Sequence, residues 1–219
     1  MKTSGVKLRS RLRESNLRTY NGKMLHRYDY SFWVKFWTGT WDNEIISELG
    51  DNLPSMNILD VGCATGRLLC SLAGTGAQNL AGTDVAPKIV ELAGANLSKM
   101  GITADLRVSD AEEKLPWESY FFDAVTMTGV LHHFFMPLPA LSEVFRILKQ
   151  GGKLIIIEPW FNTPLRQVVN MYLRFFSHEG DCRFYSPSQV EELMKSCGFR
   201  GCRLRKIAFH SFILIGEKS

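Results

Sequence analysis

Short apolar runs of strand character, separated by stretches whose apolar positions recur at helical spacing, begin at Asn57 and continue towards the C-terminus. That alternation predicts βαβ units and a parallel sheet. The first run, Asn57–Val61, ends in Gly62-Cys-Ala-Thr-Gly66, and Leu68, Leu69, Leu72 and Ala73 then share one helical face before Gly74. A second strand over Asn79–Asp84 leads into a helix from Pro87 to Met100, with proline at a favoured first-turn position and Gly101 past its end. A third strand over Ala104–Val108 runs to Asp110. The fourth, Phe122–Met127, precedes Thr128-Gly-Val-Leu-His132-His133, after which Leu138, Leu141, Val144, Phe145 and Leu148 trace a helix ended by Gly151-Gly152. The fifth strand is Lys153–Glu158. An aromatic-rich segment reaches Tyr185, a capping box at Ser186-Pro-Ser-Gln189 starts a helix ended by Gly198, and a hairpin over Arg203–Ala208 and Ser211–Gly216 closes the chain.

Composition narrows the reading. With 219 residues, 45% hydrophobic and 22% charged, the chain can bury roughly 70% of its unfolded surface, as a single domain with a small elaboration. No run of apolar residues is long enough for a membrane span and the N-terminus lacks the apolar core of an export signal, so a cytoplasmic protein is expected. Cys63, Cys70, Cys182, Cys197 and Cys202 are odd in number and contain no CxxC, so they read as reduced thiols. The net charge of +4 is uneven, because residues 1–27 hold eight Lys and Arg against the single Glu14. Such an arm suits RNA, an anionic surface, a transit peptide or simply a solvated helix.

In a parallel open sheet, ligands bind beyond the carboxyl ends of the strands, and Asp60, Gly62, Gly66, Asp84, Asp110 and His132 all fall there. Counted from Gly62, the second and third glycine positions of a dinucleotide fingerprint hold Ala64 and Arg67, which disfavours NAD or FAD. No Walker-type loop, metal-ligand spacing or G-x-S-x-G occurs, so no metal site is expected. What remains is a ligand with a ribose diol for Asp84 and, at Asp110 and the Ala111 amide, a partner for an exocyclic amine and a ring nitrogen. Adenosine fits both.

Leu59-Asp-Val-Gly-Cys-Ala-Thr-Gly66, Gly82-Thr-Asp84, Ser109-Asp-Ala111, Phe122-Asp-Ala-Val and Leu148-Lys-Gln-Gly-Gly-Lys153 resemble, in order and spacing, the class I S-adenosylmethionine-dependent methyltransferases. The resemblance spans residues 57–159 and is nearest the small-molecule branch that includes the ubiquinone and menaquinone biosynthesis methyltransferases. It implies an α/β, Rossmann-like, seven-stranded and mostly parallel sheet with helices on both faces, one antiparallel strand, and an N-terminal helical lid. Residues 1–50 would be arm and lid, 51–219 the cofactor-binding domain, and 160–185 an insertion forming the acceptor pocket. S-adenosyl-L-methionine would be the cofactor and S-adenosyl-L-homocysteine the product. Asp60, Gly62, Gly66 and Thr128 would line the methionyl end, Asp84 the ribose, and Asp110 with Ala111 the adenine. Cys63, Ala64 and Val85 would make further cofactor contacts, and Tyr28 would reach the cofactor's carboxylate. The family's turn has glycine where this chain has Ala64, which is accommodated if the backbone dihedral there is negative.

Methyl transfer from a sulfonium needs alignment above all, and a base only for some acceptors. His132 and His133 are the candidate bases, with Glu158 as the group that orients one of them, against the plainer reading that the pair only shapes the pocket. Phe32, Trp33, Phe36 and Trp37 share one helical face and suit a lid or the core; Met171, Tyr172, Phe175 and Phe176 are candidate pocket walls. The expected function is methyl transfer to an O, N or C nucleophile of a small molecule, compatible with a homodimer, with no membrane span and with nucleic acid disfavoured. The alternatives are an RNA methyltransferase, prompted by the arm and by Arg200, Arg203, Arg205 and Lys206, or a non-catalytic protein on the same fold.

Overall fold

A computed structural model describes residues 13–15, 17–23, 38, 40–176, 182–207 and 210–219. The seven strands are β1 (Asn57–Val61), β2 (Asn79–Asp84), β3 (Asp105–Val108), β4 (Phe122–Thr128), β5 (Leu148–Pro159), β6 (Arg200–Ile207) and β7 (Ser211–Glu217). They form one sheet in the order β3-β2-β1-β4-β5-β7-β6. β1 to β5 are mutually parallel, while β7 runs antiparallel to both β5 and β6. This is the α/β sheet with one antiparallel strand that the motifs imply.

The helices are α1 (Trp41–Leu49), α2 (Arg67–Gly74), α3 (Pro87–Lys99), α4 (Pro137–Ile147), α5 (Thr163–Phe176) and α6 (Pro187–Ser196). Strand side chains alternate between faces, and the core divides accordingly. Leu59, Val61, Val125, Met127, Leu154, Ile156, Phe212 and Leu214 pack with Ala140, Leu141 and Val144 of α4 and Val190 and Met194 of α6. Ile58, Ala124, Ile155, Ile157, Ile213 and Ile215 face the other way, onto Trp41 and Ile45 of α1 and Leu68, Leu69 and Leu72 of α2. Covered on both sides, the central strands read as unbroken apolar runs, and the sheet is a rigid platform for the loops at its edge.

Several boundaries differ from the sequence reading, each for a local reason. α2 includes Gly74, and the left-handed residue that follows it is Gly76, with φ 94°. α4 stops at Ile147 rather than at Gly151-Gly152, because Leu148 already pairs with Phe122 as the start of β5. The buried ammonium of Lys218 donates to the carbonyls of Phe145, Arg146 and Leu148 at that helix end, where positive charge is favoured. Leu138 is exposed. The capping box at Ser186 forms as expected, with Gln189 N donating to Ser186 Oγ at 3.2 Å and Ser186 N donating to Gln189 Oε1 at 2.9 Å. No disulfide joins the five cysteines. Among the described residues no helix is long and apolar enough to cross a membrane, and no cluster of His, Cys, Asp or Glu could hold a metal ion.

Candidate active site

The chain leaves β1 for β2 on one side and reaches β4 on the other, so the sheet order reverses between β1 and β4. At such a switch point the loops diverge and leave a crevice. A cleft opens there, lined by Val61, Gly62 and Ala64 after β1, by Asp84 and Val85 after β2, and by Ser109 to Glu112 after β3. Thr128, Gly129, Val130, His133, Phe134 and Phe135 supply the wall after β4, with Arg13 and Tyr20 from the N-terminal segment.

The turn after β1 is fixed by its backbone. Gly62 N and Cys63 N both donate to Thr83 O, at 2.8 and 3.0 Å. Gly62 has φ 76°, and a Cβ there would stand 2.5 Å from Val130 Cγ2, so both conformation and space require glycine. Ala64 contradicts the expectation of a negative dihedral: its φ is 45°, in the left-handed region. The turn holds it there because Ala64 N donates to Asp84 Oδ2 at 3.2 Å, which overrides the steric preference of an L-residue. Ala86 N donates to the other oxygen, Asp84 Oδ1, at 3.0 Å. Both carboxylate oxygens are thereby aimed by amides. Burial raises the Asp84 pKa above the ordinary carboxylate value, and the amides at Ala86 and Ala64 oppose that rise.

Asp110 lies at the far end of the cleft. Its Oδ1 accepts from Glu112 N at 3.0 Å, and its Oδ2 stands 3.5 Å from Arg13 Nε, whose Nη1 reaches Glu113 Oε1 at 3.3 Å. Asp60, Cys63 and Gly66 do not line the cleft. Asp60 is buried beneath it and accepts from Thr126 Oγ1 at 2.8 Å, and burial pushes its pKa up to about 7. Gly66 is the left-handed residue before α2. Tyr28 lies outside the described residues, as do Phe32, Trp33, Phe36 and Trp37.

The adjacent histidines have separate surroundings. His133 lines the cleft, with Nε2 3.2 Å from Tyr20 Oη. His132 is buried behind it, with Nδ1 2.7 Å from Glu158 Oε2, while Glu158 Oε1 accepts from Leu131 N at 2.8 Å. An ionised Glu158 requires the proton on His132 Nδ1, an assignment made from the hydrogen-bond network. The two imidazoles are 4.2 Å apart between centroids, and Phe184 stacks on His132 at 4.8 Å and 23°. Cys182 N and Arg183 N both donate to His132 O. Phe184 is in turn clamped to α5, its amide donating to Asn170 Oδ1 at 2.8 Å and its carbonyl accepting from Asn170 Nδ2 at 2.9 Å.

The described part of segment 160–185 therefore braces the histidines from behind. Met171 and Tyr172 are exposed and do not line the cleft, and the side chains of Phe175 and Phe176 lie outside the described residues. Among the cationic residues that prompted an RNA reading, Arg203 pairs with Glu48, Arg205 pairs with Glu44 and Glu48, and Lys206 lies 4.2 Å over the Trp160 ring. The residues missed from sequence are Arg13, Tyr20, Glu112 and the apolar wall of Val130, Phe134 and Phe135. The last three flank the histidines in sequence and were findable by that position; Arg13 and Tyr20 come from a distant segment that carries no local signal.

The donor set fits an adenosyl ligand. A pre-aimed carboxylate at Asp84, a second at Asp110, the side-chain-free backbone at Gly62 and the apolar wall of Val130 and Phe134 are what such a molecule needs.

Comparison with known proteins agrees. Residues 59–156 match the family model described as a methyltransferase domain. A ubiquinone biosynthesis O-methyltransferase of Xanthomonas oryzae is 36% identical over 105 residues, covering 48% of this chain and 44% of that protein. The chain thus matches less than half the length of that curated relative. Among solved structures, the PH0226 protein of Pyrococcus horikoshii superposes with a TM-score of 0.72 at 20% identity, over 92% of this chain and 99% of that one. A SAM-dependent methyltransferase of Aquifex aeolicus gives a TM-score of 0.66 at 21% identity, over 81% and 89% of the two chains. Residues 59–156 thus match a methyltransferase domain, and the sheet order and the cleft at the switch point are the arrangement that the motifs imply.

Proposed function

We propose that the protein transfers a methyl group from S-adenosylmethionine to the hydroxyl oxygen of a small aromatic acceptor, with His133 as the base. The observation that carries the reading is His133 in the cleft wall with Nε2 already hydrogen-bonded to a phenol, that of Tyr20, beside Phe134 and Phe135. The name of the Xanthomonas relative, an O-methyltransferase of ubiquinone biosynthesis, supports an oxygen acceptor.

The cofactor supplies, when bound, a methyl group on a positively charged sulfur. Asp84 would hold the ribose diol, since each of its oxygens accepts one amide and keeps a lone pair for a hydroxyl. Asp110 and the Ala111 amide would hold the adenine, and Gly62, Thr128 and Gly129 would admit the amino-acid end. His133 Nε2 would take the proton from the acceptor hydroxyl, raising its nucleophilicity as the oxygen is brought into line. His132 and Glu158 do not reach the cleft and act as positioning residues, holding the neighbouring ring through a buried pair. Arg13 and Tyr20 cover the cleft and would limit water access.

The test is methyl transfer from a labelled donor to a panel of catechols, phenols, amines and transfer RNA. Transfer to phenolic oxygen that falls sharply in His133→Ala supports the reading. Transfer only to amines or RNA, or equal rates in the variant, overturns it.

A further inference from the structure

Glu112 stands between the two halves of the cleft and is used by neither. It follows Asp110 and Ala111 in the turn after β3, and that turn is closed on itself by Glu112 N donating to Asp110 Oδ1 at 3.0 Å and Glu113 N donating to Asp110 O at 2.9 Å. The Glu112 side chain crosses to the opposite wall. There Oε1 accepts from Phe135 N at 2.8 Å and Oε2 accepts from Met136 N at 3.0 Å. These consecutive amides sit just before α4 and only two and three residues after His133, where a carboxylate is also favoured by the helix dipole.

On the other side of His133, His133 N donates to Val130 O and Phe134 N donates to Leu131 O. The histidine loop is therefore a short rigid turn pinned at its near end by the strand and at its far end by Glu112. With one oxygen on each amide, the carboxylate faces its partners as a two-point clamp.

The geometry points to Glu112 as a positioning residue that couples occupancy of the adenine subsite to the placement of His133. This rests on the proposed reading of Asp110 and Ala111 as the adenine contacts and His133 as the base. A ligand that orders residues 109–112 fixes the origin of the Glu112 side chain, and the clamp transmits that order to Phe135, Met136 and so to the imidazole. Coupling of this kind is a free-energy difference between two sites and is measurable as a change in one on filling the other.

Adenosine is the probe, since it fills the nucleoside part of the site without the amino-acid tail. Nuclear magnetic resonance of the wild-type protein follows the Phe135 and Met136 amides and the His133 ring as adenosine is added, and all three signals shift. Glu112→Gln replaces one acceptor oxygen by a donor, so one backbone N–H loses its partner. This variant is expected to bind adenosine within about threefold of wild type while the His133 shift falls by more than half. Glu112→Asp, which keeps the charge but is one methylene shorter, gives an intermediate loss, and near-ultraviolet circular dichroism verifies that each variant is folded. A His133 shift that persists undiminished in a folded Glu112→Gln protein with adenosine bound overturns the coupling. Failure of wild type to bind adenosine overturns instead the nucleoside-site reading beneath it, and the coupling with it.

Discussion

His132 Nδ1 meets Glu158 Oε2 at 2.7 Å behind the cleft wall, so the histidine that owns the carboxylate is not the one that lines the cleft. In the proposed mechanism the two residues of one dipeptide divide the work of orientation and proton transfer. Removing His133 should lower kcat by about 10²–10⁴ while leaving the affinity for S-adenosylhomocysteine within a few-fold. Glu158→Gln should instead destabilise the fold by about 1–3 kcal/mol, because its amide nitrogen faces one of the two N–H groups, His132 Nδ1 or Leu131 N, and leaves that donor buried without an acceptor. Steady-state kinetics and urea unfolding of the two variants separate the roles; matching effects in both would refute the division.

Asp84 offers a sharper test of the nucleoside site. Asp84→Asn retains the shape but replaces one amide-facing oxygen by a donor and removes the charge that a ribose diol would meet in the proposed site. Titration calorimetry should show S-adenosylhomocysteine binding weakened by about tenfold to a hundredfold, the equivalent of a charge-assisted hydrogen bond. Unchanged affinity would place the ribose elsewhere.

Ala64 is held at φ 45°, a conformation that costs an L-residue about 1 kcal/mol and glycine little. Ala64→Gly should relieve that strain, raise Tm by about 2–4 °C and leave cofactor affinity equal or tighter. A lower Tm in differential scanning calorimetry would mean that the methyl group packs usefully despite the strain.

Asp60 predicts a pH dependence of stability. Its carboxyl ionises near the ordinary 3.8 when unfolded, but not until about 7 in the buried site beside Thr126. Between those values the unfolded chain has released a proton that the native protein retains, so stability falls as pH rises through the window and levels above it. The loss is on the order of 2–4 kcal/mol. Asp60→Asn keeps an acceptor for Thr126 and should flatten the profile, as read from urea midpoints at about pH 4.5 and about pH 8.

The sequence by itself determined the repeating strand and helix pattern from Asn57 onward, because side chains covered on both faces leave unbroken apolar runs. It also determined the glycine turn, Asp84 and Asp110, since these lie at strand ends where local geometry dictates their direction. It misplaced the end of α4, where pairing of Leu148 with Phe122 outweighed the helical stripe and made the β5 strand longer than its apolar centre. It left Ala64 open as well, because the sign of a dihedral depends on what the turn is tied to.

Only the tertiary structure decided which histidine lines the cleft. The direction of His132 was fixed by Glu158, twenty-six residues away, and by Phe184 stacking from another segment, while His133 meets Tyr20. The same holds for Arg13 and Tyr20 over the cleft and for the reach of Glu112 to Phe135 and Met136. Each of these contacts joins residues far apart in the chain, and periodicity reports which face is buried but not what it is buried against.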